Sequence, residues 1–130
     1  MAIEEFAKKF IEAEDEAWKS GNFDALEQIE SPGIVIHMPP VPDIVGFEAH
    51  KQSIVTSRES FNDLQQDWDY ITGDGDVCVL SYKSSSIAKV ENPALNIPAG
   101  AKSIIDFYFV LRRENNRVAE IWMRGSRMVQ

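Results

Sequence analysis

The runs Ser103-Ile104-Ile105-Asp106-Phe107-Tyr108-Phe109-Val110-Leu111 and Arg117-Val118-Ala119-Glu120-Ile121-Trp122-Met123-Arg124-Gly125-Ser126, joined by a link ending in Glu114-Asn115-Asn116, decide how this chain folds. Both are rich in β-branched and aromatic residues, and Asn tolerates the positive φ that a tight turn demands, so they read as one long β-hairpin. A two-residue turn at Asn115-Asn116 pairs 113 with 118, 109 with 122, 107 with 124 and 105 with 126. One face then holds Ile105, Phe107, Phe109, Leu111, Glu120, Trp122, Arg124 and Ser126. The other holds Asp106, Tyr108, Val110, Ile121 and Met123. A bulge or a three-residue turn would shift these pairings by one.

Upstream of the hairpin, Gly73-Asp74-Gly75-Asp76 is a strong turn signal before a long strand from 77 to about 90. Residues 91–100, with Pro93, Pro98 and Gly100, form the loop between that strand and the hairpin. The stretch 64–72 is mixed but aromatic-rich, and 33–38 is a short β-branched strand. Before it, Ile3, Phe6, Phe10, Ala13 and Ala17 recur at three- and four-residue steps, the stripe of an amphipathic helix ending near Gly21. Asn22 can cap a second short helix through Ile29, stopped by Ser31-Pro32-Gly33. After Gly46, the residues Phe47, His50, Ile54 and Phe61 share one face of a third helix, and 39–43, with three prolines, is a stiff surface loop. Helices first and a meander of strands afterwards predict an α+β domain. Three N-terminal helices would pack on a curved, mostly antiparallel sheet, giving a cone with an apolar interior, the kind of concavity that ligand sites favour.

Composition narrows the function. The 130 residues are 44% apolar, enough for the core of a single domain spanning 1–130. With 21 acidic against 13 basic residues and a net charge of −8, the chain is not expected to bind nucleic acid or an anionic membrane, both of which need clustered Lys and Arg. Arg112, Arg113, Arg117, Arg124 and Arg127 do gather around the hairpin, but Glu114 and Glu120 interrupt them, as on a solvated strand face. Cys78 is alone, so no intrachain disulfide is possible, and its place within a strand suggests a buried, inert thiol. No run approaches the length of a membrane span, and the first residues lack a signal peptide's basic flank and apolar run. A soluble cytoplasmic protein is expected. Two His thirteen residues apart and one Cys do not give clustered metal ligands, and the paired glycines at 73 and 75 lack the strand-loop-helix context of a phosphate cradle, so neither metal nor cofactor is expected.

Several segments together resemble the nuclear transport factor 2-like superfamily, especially its SnoaL-like and ketosteroid-isomerase-like branches. They are Trp18-Lys19-Ser20-Gly21-Asn22-Phe23-Asp24-Ala25-Leu26, Ile34-Val35-Ile36-His37-Met38-Pro39, Gly46-Phe47-Glu48-Ala49-His50, Gly75-Asp76-Val77-Cys78-Val79 and Arg117-Val118-Ala119-Glu120-Ile121-Trp122. The resemblance implies a cone-shaped cavity, frequent homodimers, and roles from polyketide cyclisation and steroid isomerisation to epoxide hydrolysis, dehydration or simple binding. It also implies an Asp four residues beyond the last-strand Trp in cyclases, where this chain has Ser126, and an Asp before the proline closing the first strand in isomerases, where it has Met38.

Other groups must then supply any chemistry. His37 alternates with Met38 on its strand, so one of the two points inward, and an imidazole titrating near neutrality suits acid–base work. His50 lies on the apolar side of its helix, as a packing imidazole does. Glu14, four residues after Phe10, borders the buried stripe, either reaching the cavity or snorkelling at its edge. By resemblance the Trp122 and Ser126 face lines the cavity, which makes Phe107, Phe109, Trp122, Arg124 and Ser126 ligand-binding residues together with Trp18 and Met38. Arg124, opposite Phe107, would hold a carboxylate, phenolate or enolate, or pair with an acid at the rim. The catalytic candidates are His37, Glu14 and Arg124. Three functions stay open: a cavity binding an apolar cyclic or polycyclic ligand with an oxygen or acidic group, a cofactor-independent cyclase or isomerase, and an interaction module that dimerises through the outer sheet face.

Overall fold

The computed structural model describes residues 1–130. Helix α1, Ile3–Ser20, buries Phe6, Ala7, Phe10, Ala13 and Ala17 along one stripe, and Gly21 stops it in the left-handed region (φ 74°), its N–H donating to the Ala17 carbonyl. Helix α2, Asp24–Ile29, follows, with the Asn22 side chain accepting from the Asp24 N–H and Leu26 buried. Strand β1, Glu30–His37, leads through the proline loop to the short β2, Ile44–Val45, and then to α3, Phe47–Ser60, which buries Phe47, His50 and Ile54.

Long strands complete the chain: β3, Phe61–Asp74; β4, Val77–Ala88; β5, Lys102–Glu114; and β6, Arg117–Val129. Phe61, expected on the third helix, instead opens β3 in an extended conformation. The aromatic-rich stretch around Trp68 is therefore strand, with alternate residues inward. The six strands form one sheet in the order β2-β1-β6-β5-β4-β3, antiparallel except for β1 against β6. All three helices contact the sheet. The α+β architecture expected from the sequence, helices on a mostly antiparallel sheet, is the one observed. The core runs between α1 and the inner face of β4, β5 and β6, where Cys78, Leu80, Phe109, Leu111 and Ile121 meet Phe6 and Phe10.

The hairpin register decides which side chains enter the interior. Asn115 and Asn116 both take positive φ (52° and 59°), and 113 pairs with 118 as expected. One step later the ladder slips: Arg112 pairs with Glu120, leaving Ala119 as the extra residue of a β-bulge. From there Phe109 faces Met123 and Phe107 faces Gly125, so the faces of β6 are exchanged. On its other side β6 meets an irregularity in β1 between Glu30 and Val35, beside the same part of β6. Pro32 lies in that segment and cannot donate to the ladder, so the irregularities in both neighbours of β6 fall together.

Candidate functional site

Between the helices and the sheet lies a cavity of about 190 Å³. Its helical wall is Glu14 and Trp18 of α1 with His50, Ser53, Ile54 and Ser57 of α3. Its sheet wall is Trp68, Tyr82, Ser84, Ser86, Ile105, Phe107, Phe109, Ile121, Met123 and Arg127, and Met38, Ile44, Asn92 and Leu95 border it from the loops and strand ends. Space exists because the inward positions of β4 shrink along the strand, from Leu80 and Tyr82 to Ser84 and Ser86. On β6, Gly125 lets the strand approach β5 closely beside the smaller pocket next to Pro39 and Pro40. Its φ is 155°, and a Cβ there would run into the Asp106 carbonyl oxygen and sit 2.7 Å from Phe107 Cα. Aromatic edges finish the floor: the Trp68 ring lies 4.3 Å from Tyr82 and 4.9 Å from Phe109, centroid to centroid.

Three ionisable groups on three elements converge at this wall. Glu14 is 3% exposed, His50 7% and Glu30 fully buried. The Glu30 carboxylate can only accept, so the 2.8 Å contact from Glu30 Oε1 to His50 Nδ1 puts a proton on Nδ1. That orients the ring and turns Nε2 toward Glu14 Oε1, 3.8 Å away. Trp18 Nε1 donates to the second Glu14 oxygen at 2.9 Å. Burial pushes the Glu14 carboxyl up to about 7, against the opposing pull of the His50 charge and the Trp18 hydrogen bond and with help from the Glu30 charge. Burial works against a charged His50, yet the hydrogen bond to Glu30 and the charges of Glu14 and Glu30 hold its pKa above the usual imidazole value. Glu14 and His50 thus both hold a proton more tightly than they would in water, inside an apolar enclosure. Glu30 Oε2 is buried without a hydrogen-bond partner. The three groups offer ligand atoms within 4.8 Å of one another, the one set close enough to hold a metal ion. The His50–Glu30 and Trp18–Glu14 hydrogen bonds use His50 Nδ1, Glu30 Oε1 and Glu14 Oε2.

Other polar groups edge the cavity. The Tyr82 hydroxyl donates to Gln66 Oε1 at 2.6 Å, and burial pushes its pKa upward. Arg127 is partly buried, its Nη1 donating to the Ser103 hydroxyl at 2.9 Å. A wider groove of about 440 Å³ lies outside, around α2 and the start of α3, but the exposed Asp24, Glu27 and Glu48 make it a wet, acidic surface. The apolar cavity is the better candidate site.

Of the residues singled out from sequence, Glu14, Trp18, Met38, Phe107 and Phe109 line the cavity. Trp122, Arg124 and Ser126 do not, because the Ala119 bulge turns them to the outer face. Ile121, Met123 and Arg127 take the inward positions instead. Arg124 is exposed and bonds the neighbouring Met123 carbonyl. His37 is on the outer face too, in line with Trp122, on which its ring stacks at 5.6 Å. Its Nε2 lies 2.6 Å from Glu120 and its Nδ1 3.0 Å from Asp43, two acceptors that require both nitrogens protonated. The Glu120 hydrogen bond, countered by desolvation and joined by Asp43, raises its pKa. Asp106 and Tyr108 face outward, as expected. His50, read as a packing residue, is buried and hydrogen-bonded, and it also faces the cavity. Local sequence marks neither Arg127 nor Glu30 as a site residue; Arg127 is inward by alternation from Met123 only with the bulge in place.

Residues 8–121 match the family model of the SnoaL-like domain. In fold, the chain is similar to TsrD from Streptomyces laurentii, with a TM-score of 0.78, 20% identity, and 95% of this chain and 90% of that one covered. It is similar to a proposed polyketide cyclase from Xanthomonas campestris pv. campestris, with a TM-score of 0.77 and 14% identity over 96% of this chain and 93% of that one. AclR from Streptomyces galilaeus, a proposed hydroxylase, superposes with a TM-score of 0.72 and 18% identity over 96% and 91% of the two chains. Likeness at these identities is one of fold. No curated protein matches the chain in sequence.

Proposed function

The chain belongs to the SnoaL-like domain family, and from that premise we propose that its cavity performs cofactor-independent acid–base chemistry beside a carbonyl, of the isomerase or cyclase kind. The observation that carries this reading is Glu14, a carboxyl buried against apolar walls with a pKa raised to about 7. At neutral pH such a group is near half ionised, so it can take a proton from carbon and return one elsewhere on the same substrate. His50, held by Glu30 through Nδ1, sits beside it as a second proton carrier and as a positive charge that steadies the ionised form. Substrate size follows from volume. A space of 190 Å³ equals about six waters of bulk liquid, which suits one or two rings. The aromatic walls favour a flat, apolar compound.

The test is α-proton exchange. The bicyclic ketone 2-tetralone in D2O, followed by proton NMR, should exchange faster with the protein than with buffer. Glu14→Gln should remove the protein's contribution by roughly 100-fold or more, the usual worth of a placed general base. An unchanged rate in the variant would sink the assignment. Two further points belong to the same proposal. The exposed Tyr108 on the outer face supports a homodimer formed there, testable by sedimentation. A single, buried thiol and no helix long and apolar enough to cross a membrane are compatible with a cytoplasmic location.

A further inference from the structure

We propose that Arg127 is the docking point for a carboxylate, so that the compound this cavity takes is a one- or two-ring carboxylic acid. Arg127 lines both the main cavity and a smaller pocket of about 130 Å³ beside Pro39, Pro40 and Val41, and so stands where the two meet. Its side chain has one hydrogen-bond partner, the neutral Ser103 hydroxyl, and no carboxylate. Of the other arginines in this hairpin, Arg112 pairs with Glu114 and Glu120, and Arg113 with Asp76. Arg117 and Arg124 bond the backbone carbonyls of Glu30 and Met123 and line neither pocket, so Arg127 alone presents a guanidinium without a carboxylate partner to the cavity. In a chain with 21 acidic residues, a partly buried guanidinium left without an acid has most of its donors free for something else. Burial disfavours its charge, a cost that an incoming anion would offset.

The chemistry of the anion follows from the surroundings. Arg127 is the one basic side chain other than His50 in the linings of the two pockets, and Phe107 and Leu95 flank it in both. A single planar fork matches a planar, singly charged carboxylate in bidentate fashion. Phosphate would bring a second charge with no partner. Arg127 lies on the sheet wall and Glu14 on the helical wall, so a ligand bound by its carboxylate extends its ring toward the acid–base group. The assignment rests on the acid–base reading for that orientation alone; the binding itself does not require turnover.

Equilibrium binding separates the two claims. Isothermal titration at pH 6, where Glu14 is mostly protonated, compares 2-naphthoate with its neutral isostere 2-naphthamide. The protein should prefer the carboxylate by roughly 10- to 150-fold, the worth of charge-assisted hydrogen bonding. Arg127→Gln should bring the two affinities within about threefold by loss of the charged pair, with amide binding retained as the control for folding. Arg127→Lys should recover part of the preference. Equal affinities in the unmodified protein, or a preference that survives in Arg127→Gln, would overturn the proposal while leaving Glu14-dependent exchange of 2-tetralone untouched. Failure of both naphthalenes to bind would overturn it as well. Loss of 2-tetralone exchange with the carboxylate preference intact would sink the acid–base reading alone.

Discussion

Replacing Glu14 by Gln should make the folded protein less sensitive to alkali, by an amount the structure sets. Burial raises the Glu14 carboxyl from 4.5 to about 7, roughly 2.5 units, which at 1.36 kcal/mol per unit is about 3 kcal/mol. The folded state binds this proton more tightly than the unfolded chain does. Its contribution is therefore whole below pH 4.5 and is lost as pH rises through 7. His50, also raised, loses its contribution in the same direction, as pH climbs from 6.5 through its folded value. Gln keeps the size and can still accept from Trp18, but it cannot ionise. Urea unfolding followed by tryptophan fluorescence, at pH 5 and pH 8.5, gives the comparison. The stability of Glu14→Gln relative to the unmodified protein should improve by up to about 3 kcal/mol between the two pH values. A difference that is flat, or that favours Glu14 at pH 8.5, would show that the carboxylate ionises in the folded state as readily as in water, and the reasoning would fail.

Trp18→Phe removes the hydrogen bond that favours ionised Glu14, so the pH at which proton exchange reaches half its maximum should rise, by roughly one unit or more. Gly125→Ala should cost at least about 2 kcal/mol in chemical denaturation, because a side chain there meets the Asp106 carbonyl and the Phe107 backbone. His37→Gln should leave 2-tetralone exchange within about twofold of the unmodified rate, since surface substitutions away from the site change little. Arg124→Ala should likewise leave the preference for 2-naphthoate intact, which separates Arg124 from Arg127 in a single titration.

Much of the fold was legible because its signals are local. The stripe from Phe6 to Ala17 is an α-helical period, Gly21 is a left-handed stop, and Asn115-Asn116 is a turn whose residues accept positive φ. The site was legible in part. Inward alternation along β5 placed Phe107 and Phe109 correctly, because nothing interrupts the pairing of β5 with β4. It failed on β6 for a reason no local pattern carries. Arg117-Val118-Ala119-Glu120 contains neither glycine nor proline, and the bulge lies beside an irregularity in β1, a strand far away in sequence. One residue of slip sent Trp122, Arg124 and Ser126 outward and brought in Met123 and Arg127. The cluster of Glu14, Glu30 and His50 is hidden in a different way. Glu14 borders one apolar stripe and His50 lies on the apolar side of another helix, but only tertiary packing brings residues 14, 30 and 50 together.

The central claim is that one carboxyl facing the cavity titrates near neutrality. Carbon-13 NMR of protein labelled at the glutamate side-chain carboxyl, titrated from pH 3 to pH 9 and assigned with Glu14→Gln, reads that carboxyl directly. The resonance missing from the variant should titrate at about 7, far above the usual glutamate value of 4.5. If the Glu14 resonance instead moves between pH 4 and 5, the cavity holds an ordinary carboxylate, and the proposed acid–base site is contradicted.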